Sequence, residues 1–334
     1  MSIAPFKHTM AAHCESGALS ALLNHKGLSI SEPMLFGIGA GIFFAYLKIP
    51  SMHFPVIAAR SMPGSLRKQL SKRLGVKFVA RRYRDPVKAQ TELETLLDFG
   101  IPVAVQTDMF YMDYIPAHLR THFNAHFVVV FGKDSDGFHV SDCYYPDAAV
   151  LCEASLAKAR FAKGDFSPQG LLVYPVTMPS AVNWESAVLS GIRHAAFSMV
   201  RTPLPFIGVA GIRLFSKKIH TWPRLARDSD HLSHELMKIN LLLEEQGTGG
   251  AGFRFMYATF LQEASKLLNN QACADLSKRM MTNGDRWRDI SLVAARMGKN
   301  RDFAPQRFAD LSAMIMERAD EERRLFTELL HLTK

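Results

Sequence analysis

The sequence predicts an α+β domain followed by an all-α domain, and three observations predict it. Helical and strand patterns alternate over the first half of the 334 residues, with the strands gathered in its middle and end. From about residue 180 the strand signals stop, and apolar residues recur only at helical spacing. Between the two regimes the stretch SPQGLLVYPVTMPSAVN collects prolines and breaks the pattern, so the join falls there. The expected division is 1–178 for the first domain and 179–334 for the helical one, since a chain of this length is long for one hydrophobic core.

Taken in order, the residues from Cys14 to about Lys26 form an amphipathic helix that ends at Gly27. MLFGIGAGIFFAYL (34–47), rich in glycine and aromatics, reads as a second, closely packed helix. HFPVIAA (53–59) is a buried strand, the segment 64–74 a basic helix and VKFVA (76–80) a strand. Asp85 opens a helix with Pro86 in its first turn, and the helix stops near Gly100. IPVAVQTD (101–108), HFVVVFG (126–132) and GFHVSD (137–142) are strands, the last two joined by a hairpin-like turn. The helices of the second domain are expected at 183–200, 228–245, 253–268, 273–298 and 305–332.

Hydrophobic residues make up 48% and charged residues 21%, the balance of a soluble globular chain. The formal charge of +9 suits an acidic partner. Zinc-spaced cysteines, a recognition-helix signature and an aromatic RNA-binding stripe are missing, which argues against nucleic acid. The four cysteines (Cys14, Cys143, Cys152, Cys273) are too scattered for a disulfide framework and suit a reducing compartment. The N-terminus lacks the features of a secretory signal, and the longest apolar run, 14 residues at 34–47, is too short to span a bilayer. The expectation is a cytoplasmic protein without stable membrane insertion. No cluster of His, Cys and acids has metal-ligand spacing, so no metal is expected. GIGAG (37–41) lacks the preceding strand that a dinucleotide fingerprint needs.

A cysteine hydrolase or acyltransferase needs a thiolate, a base and a group that orients the base. Cys14 stands at the start of a predicted helix, the setting in which unpaired N–H groups favour a thiolate. His126 begins an apolar strand, a rigid mount for a base. Asp142 ends the next strand, and if the two strands are neighbours its carboxylate reaches the imidazole and fixes its tautomer. Taken singly, these are a core cysteine, a structural histidine and a capping aspartate. Together they follow the chain order of papain-like folds. His13, adjacent to Cys14, is read as shaping the site rather than as the base.

The stretches HCESGAL (13–19), SEPMLFGIGAGIFF (31–44), PVAVQTD (102–108) and AHFVVVFG (125–132) resemble the N-terminal domain of the butirosin biosynthesis protein H family. The second half, EQGTGGAGFRFMYATFL (245–261) in particular, resembles the helical domain that commonly follows it. The resemblance spans nearly the whole chain. It implies a papain-like domain with an antiparallel sheet, related to bacteriocin-processing cysteine peptidases. It also implies an acyltransferase that moves an acyl group from a carrier-protein thioester to an amine of an aminoglycoside. Carried over by motif, Cys14 is the nucleophile, His126 the base and Asp142 its orienter. The peptidase relatives place a glutamine six positions before the cysteine as an oxyanion donor; here His8 stands there, and a ring N–H can donate. Where those relatives have proline after the aspartate, this chain has Cys143, read as a buried small residue.

The resemblance makes the acyl donor a phosphopantetheine-linked thioester, on an acidic acyl carrier protein or on CoA, with no permanently bound cofactor and a small-molecule amine as acceptor. Lys68, Lys72 and Arg73, within the basic stretch 60–88, are a docking patch for the carrier protein or a solvated helix face. Asp108, in a loop with Tyr111, either receives the acceptor amine or caps the loop, and Glu32 either joins it or is a helix N-terminal charge. GTGGAGFR (247–254) lacks the lysine of a P-loop and reads as a helix-to-helix turn, with Arg254 a candidate for the pantetheine phosphate. Two rivals stay open: a cysteine peptidase or amidase with the same triad, and a non-catalytic binding protein on the same scaffold.

Overall fold

The structure is a computed structural model that describes residues 5–48 and 53–333. It is α+β with antiparallel sheets, and from Asn183 onward it is helical. The chain divides into two compact units, Met1–Leu35 with Leu70–Val182, and Phe36–Gln69 with Asn183–Lys334.

In chain order the first elements are α1 (Cys14–His25), α2 (Glu32–Ile38), β1 (Ile42–Leu47), β2 (Val56–Arg60) and α3 (Ser65–Leu74). Next come β3 (Lys77–Arg81), α4 (Pro86–Asp98), β4 (Val103–Thr107), β5 (His126–Lys133) and β6 (Phe138–Ser141). The short β7 (Ala149–Leu151), α5 (Glu153–Arg160) and β8 (Leu172–Thr177) complete this half.

The first unit is built on a six-stranded sheet of order β3-β8-β4-β5-β6-β7, antiparallel at each pairing. Val103 and Val105 of β4 lie opposite Val130 and Val128 of β5, and these four form a core with Phe138, Val140 and the α4 residues Leu93 and Leu97. Alternate residues on adjoining strands share a face, so one register buries the whole set. Asp85 caps α4 by accepting from the N–H groups of Val87 (2.9 Å) and Lys88 (3.4 Å), ahead of Pro86. Gly100, at φ 68°, ends the turn that follows, a conformation glycine adopts without steric cost.

Three expectations are corrected. The run 34–47 is not one helix. α2 stops at Ile38, Ala40 turns to φ 51°, and Ile42–Leu47 pairs as β1 with β2, Ala45 opposite Ala58. Three glycines weaken the helix, while IFFAYL has the aromatic and β-branched content of a strand. The proline-rich stretch, read only as the join, also contains a strand, β8, which lies between β3 and β4. Pro175 sits opposite Phe78 of β3 and beyond the Ala104–Val173 pair, the last of the β4 pairing, so its missing N–H costs β4 no ladder bond. Finally, the units are not two consecutive segments split at 178. The β1–β2 hairpin groups with the helices, where Phe44 contacts Phe215 and Trp287, and Tyr46 contacts Phe215.

The second unit continues with α6 (Trp184–Val200), α7 (Gly208–Ile219), α8 (Trp222–Leu225), α9 (Ser229–Asn240), α10 (Arg254–Leu267), α11 (Gln271–Asn300) and α12 (Pro305–Leu332). α7 was absent from the expected helices, although Ile212, Phe215 and Ile219 recur at helical spacing and are buried. Among the described residues no helix is long and apolar enough to cross a membrane.

Candidate active site

Cys14 is the first residue of α1, and the turn before it is tied down by polar groups from nearby in the chain. His13 is the N-cap, its Nδ1 accepting from the Ser16 N–H at 3.2 Å. The Glu32 carboxylate accepts from the Ala12 N–H (2.8 Å), the His13 N–H (2.9 Å) and the Ser16 hydroxyl (2.7 Å). Burial pushes the Glu32 carboxyl upward, opposed by those bonds from Ala12, Ser16 and His13. The Cys14 thiol is buried, with Sγ 3.7 Å from the Ala125 carbonyl oxygen, immediately before His126.

His126 opens β5, and the pairing of Val129 with Ser141 across β5 and β6 brings Asp142 back to it. His126 Nε2 and Asp142 Oδ2 are 2.8 Å apart with both side chains out of solvent. Asp142 Oδ2 also accepts from the Tyr114 hydroxyl at 2.7 Å, and Oδ1 from the Tyr144 N–H at 3.2 Å. The second ring nitrogen, Nδ1, is buried without a hydrogen bond of ordinary geometry, while the Cys14 thiol acts on the same ring. Burial by itself lowers the imidazole pKa, but the Asp142 charge and hydrogen bond, with Cys14, outweigh it and raise His126 to about 10. Burial likewise pushes Asp142 up, and the His126 charge and hydrogen bond, helped by Tyr114 and Tyr144, hold it below its usual value. The ring is thus clamped by a carboxylate at Nε2 and acts on the Cys14 sulfur, which stands at a helix N-terminus. Such a set forms covalent thioester or acyl intermediates.

The expected triad Cys14, His126 and Asp142 is therefore brought together. Other expected site residues are committed elsewhere. His8 has both ring nitrogens engaged, Nδ1 at 2.7 Å from the Ser141 hydroxyl and Nε2 at 2.9 Å from the Tyr145 carbonyl oxygen. A neutral ring with Nε2 donating and Nδ1 accepting has no N–H left for an oxyanion, which corrects that expectation. Glu32 is spent on the turn before Cys14, where it accepts from Ala12, His13 and Ser16. Asp108 is buried and caps its own loop, accepting from Phe110 N–H (3.1 Å) and Phe123 N–H (2.9 Å) and lying 2.8 Å from His122 Nδ1. Tyr111 packs against the apolar core of the first unit and edge-on to Phe110.

Arg254 is corrected as well. It is wholly buried in the second unit, where Nε and Nη2 grip both Glu322 oxygens at 2.9 and 3.0 Å and Nη1 donates to the Gly252 carbonyl at 2.8 Å. A guanidinium so enclosed holds helices together and does not meet a phosphate. Lys68 and Lys72 are exposed one turn apart on α3, with Arg73 half-buried beside them.

Sequence reasoning missed Tyr114 and Tyr144. The Tyr144 ring lies over the His126 ring, centroids 5.5 Å apart and planes 27° apart. Its position two residues after Asp142 was the available signal. Among the described residues no group of three or more His, Cys, Asp or Glu side chains forms a metal site.

Residues 13–143 match the family model described as Butirosin biosynthesis protein H, N-terminal. Residues 154–329 match the model described as Domain of unknown function (DUF4872). No curated protein matches the chain. Among solved structures, a crystal structure described as C39-like peptidase from Bacillus anthracis is 14% identical, with 54% of this chain and 100% of that one covered and a TM-score of 0.38.

Proposed function

We propose that this chain, which belongs to the DUF4872 family and carries the butirosin biosynthesis protein H N-terminal domain ahead of it, is a cysteine-dependent N-acyltransferase of a biosynthetic pathway. The observation that supports this most is Cys14 at a helix N-terminus beside an imidazole clamped by a buried carboxylate.

The donor is an acyl thioester on phosphopantetheine, carried by an acidic carrier protein or by CoA. Starting as the thiolate paired with the His126 imidazolium, Cys14 sulfur bonds to the acyl carbon, the bond from that carbon to the pantetheine sulfur breaks, and His126 gives its proton to the departing thiolate. A small-molecule amine then attacks the Cys14 thioester, His126 takes the amine proton, and the amide leaves as the Cys14 thiolate is restored. The thioester supplies the driving force, so the scheme uses no resident cofactor. One observation favours an amine over water as acceptor: the matching family is named for biosynthesis. Lys68, Lys72 and Arg73 on α3 would attract the acidic carrier. The reading sets the protein in the cytoplasm, where thioester donors and reduced thiols coexist.

Incubation with acyl-carrier and acyl-CoA thioesters, read by intact mass, tests the scheme. An acyl adduct on wild type that is lost in Cys14→Ala is expected. No adduct with any thioester, or an equal adduct on the variant, refutes covalent catalysis at Cys14. Release of free acid in place of amide when amines are supplied would make the protein a hydrolase.

A further inference from the structure

We infer that Tyr114 is a positioning residue of the triad, a second donor on the Asp142 oxygen that holds His126, which keeps the carboxylate oriented while limiting how tightly the ring holds its proton. The inference rests on the cysteine-enzyme reading above and deepens it. His126 has to give a proton to the departing sulfur and then take one from the amine, so its grip on that proton must be neither weak nor final. A buried carboxylate that served the imidazolium alone would fix the proton firmly, because the dielectric is low and no other donor would share its charge.

Asp142 Oδ2 carries both partners, His126 Nε2 at 2.8 Å and the Tyr114 hydroxyl at 2.7 Å. The direction of the second bond follows from the chemistry, since an ionised carboxylate only accepts. Burial, with the Asp142 charge, pushes the Tyr114 phenol up, so it keeps the proton it donates. Tyr114 comes from the connection between β4 and β5, and its neighbours fix it there. Met112 and Ile115 are buried in the core of the first unit. Arg120 donates from Nε to the Ile115 carbonyl and from Nη2 to the Asp113 carbonyl, each at 2.7 Å, so one guanidinium clamps the chain on both sides of Tyr114. The Tyr145 ring meets the Tyr114 ring edge-on, centroids 5.5 Å apart. The other titratable groups facing Asp142 are Cys143, Tyr144 and Tyr145 of its own turn, with Cys14 beyond His126. Of these only the Tyr144 backbone N–H bonds to the carboxylate, and it takes Oδ1. Among the described residues Tyr114 is thus the one side chain besides His126 that loads Oδ2.

Tyr114→Phe keeps the ring and removes the donor, leaving Oδ2 to His126, so the imidazolium should hold its proton about one pH unit more tightly. The proton between His126 Nε2 and Asp142 reports this directly in the NMR spectrum of the full chain, assigned by its loss in His126→Asn. It should move downfield in Tyr114→Phe. It should move upfield when 3,5-difluorotyrosine, a stronger donor of nearly the same shape, stands at position 114. A merely structural role gives no such opposite pair, and the second variant serves if the first fails to fold. Acylation of Cys14 by the thioester that loads it should slow about 10-fold in Tyr114→Phe. Alkylation by iodoacetamide, which needs no proton from His126, should stay within about 2-fold of wild type. A proton signal unmoved by either variant, or moved the same way by both, overturns the inference, as does an equal fall in acylation and alkylation. If no thioester loads wild-type Cys14, the enzyme reading fails, and the proton signal still decides whether Tyr114 loads Asp142.

Discussion

Replacing Asp142 by Asn keeps the side-chain shape and removes the charge that clamps His126. In the native fold that charge and its hydrogen bond, with Cys14, lift the imidazole from 6.5 to about 10 against the opposing effect of burial. At about 1.4 kcal/mol per pH unit, the rise corresponds to about 5 kcal/mol of stability, shared with Asp142 and counted once. The sign follows from the direction of the shift. A raised histidine binds its proton more tightly when folded, so this contribution is complete below about pH 6.5 and is lost progressively as the pH rises through about 10. The Asp142 side of the pair acts at the other end, because its lowered value makes its contribution fade as the pH falls below 3.8. Thermal unfolding of wild type from pH 6 to 10 should therefore show a steep decline that Asp142→Asn lacks, the variant starting well below wild type at pH 6. The same change turns an amide N–H toward Nε2 and leaves the proton on Nδ1, the wrong tautomer for a base facing Cys14. Acylation at neutral pH should drop on the order of 10⁴-fold. Parallel pH curves for wild type and variant, or acylation within about 10-fold of wild type, would refute the assignment of Asp142 as the clamp.

Glu322→Ala strands the buried Arg254 guanidinium, and Asn283 and Trp287 lose the same acceptor oxygen. It should cost about 3–5 kcal/mol in chemical unfolding of the full chain, and a loss under about 1 kcal/mol would show that the ion pair is dispensable. Reversing Lys68, Lys72 and Arg73 to Glu should weaken acyl-carrier binding steeply at low salt and much less at high salt, as seen by titration calorimetry. Equal binding at low salt would remove α3 as the docking surface.

What could be read from the chain was what depends on neighbours in sequence. Cys14 precedes a run at helical spacing, and His126 and Asp142 lie on apolar strands joined by a short turn. The pairing that unites them follows from local pattern. β8 escaped because its prolines outweigh its pattern locally, while its place between β3 and β4 depends on partners 60 to 100 residues away. The run 34–47 was misread because helix and buried strand are both apolar there, and only the pairing with β2 separates them.

The site divides in the same way. His8, Glu32, Asp108 and Arg254 each carry a group that suits a ligand, and sequence cannot show whether a buried polar group has already found its partner inside the protein. Each has one: Ser141 and Tyr145, the turn before α1, the N–H groups of Phe110 and Phe123, and Glu322. Tyr144 is the converse, an unremarkable aromatic until folding sets it across His126. The sequence by itself determined the order and local setting of Cys14, His126 and Asp142, because a helix start and two neighbouring strands are read from local pattern. Tertiary structure alone decided which remaining polar groups are spent on holding the fold and which still face the reacting sulfur, because desolvation makes every buried donor and acceptor seek a partner wherever the chain brings one near.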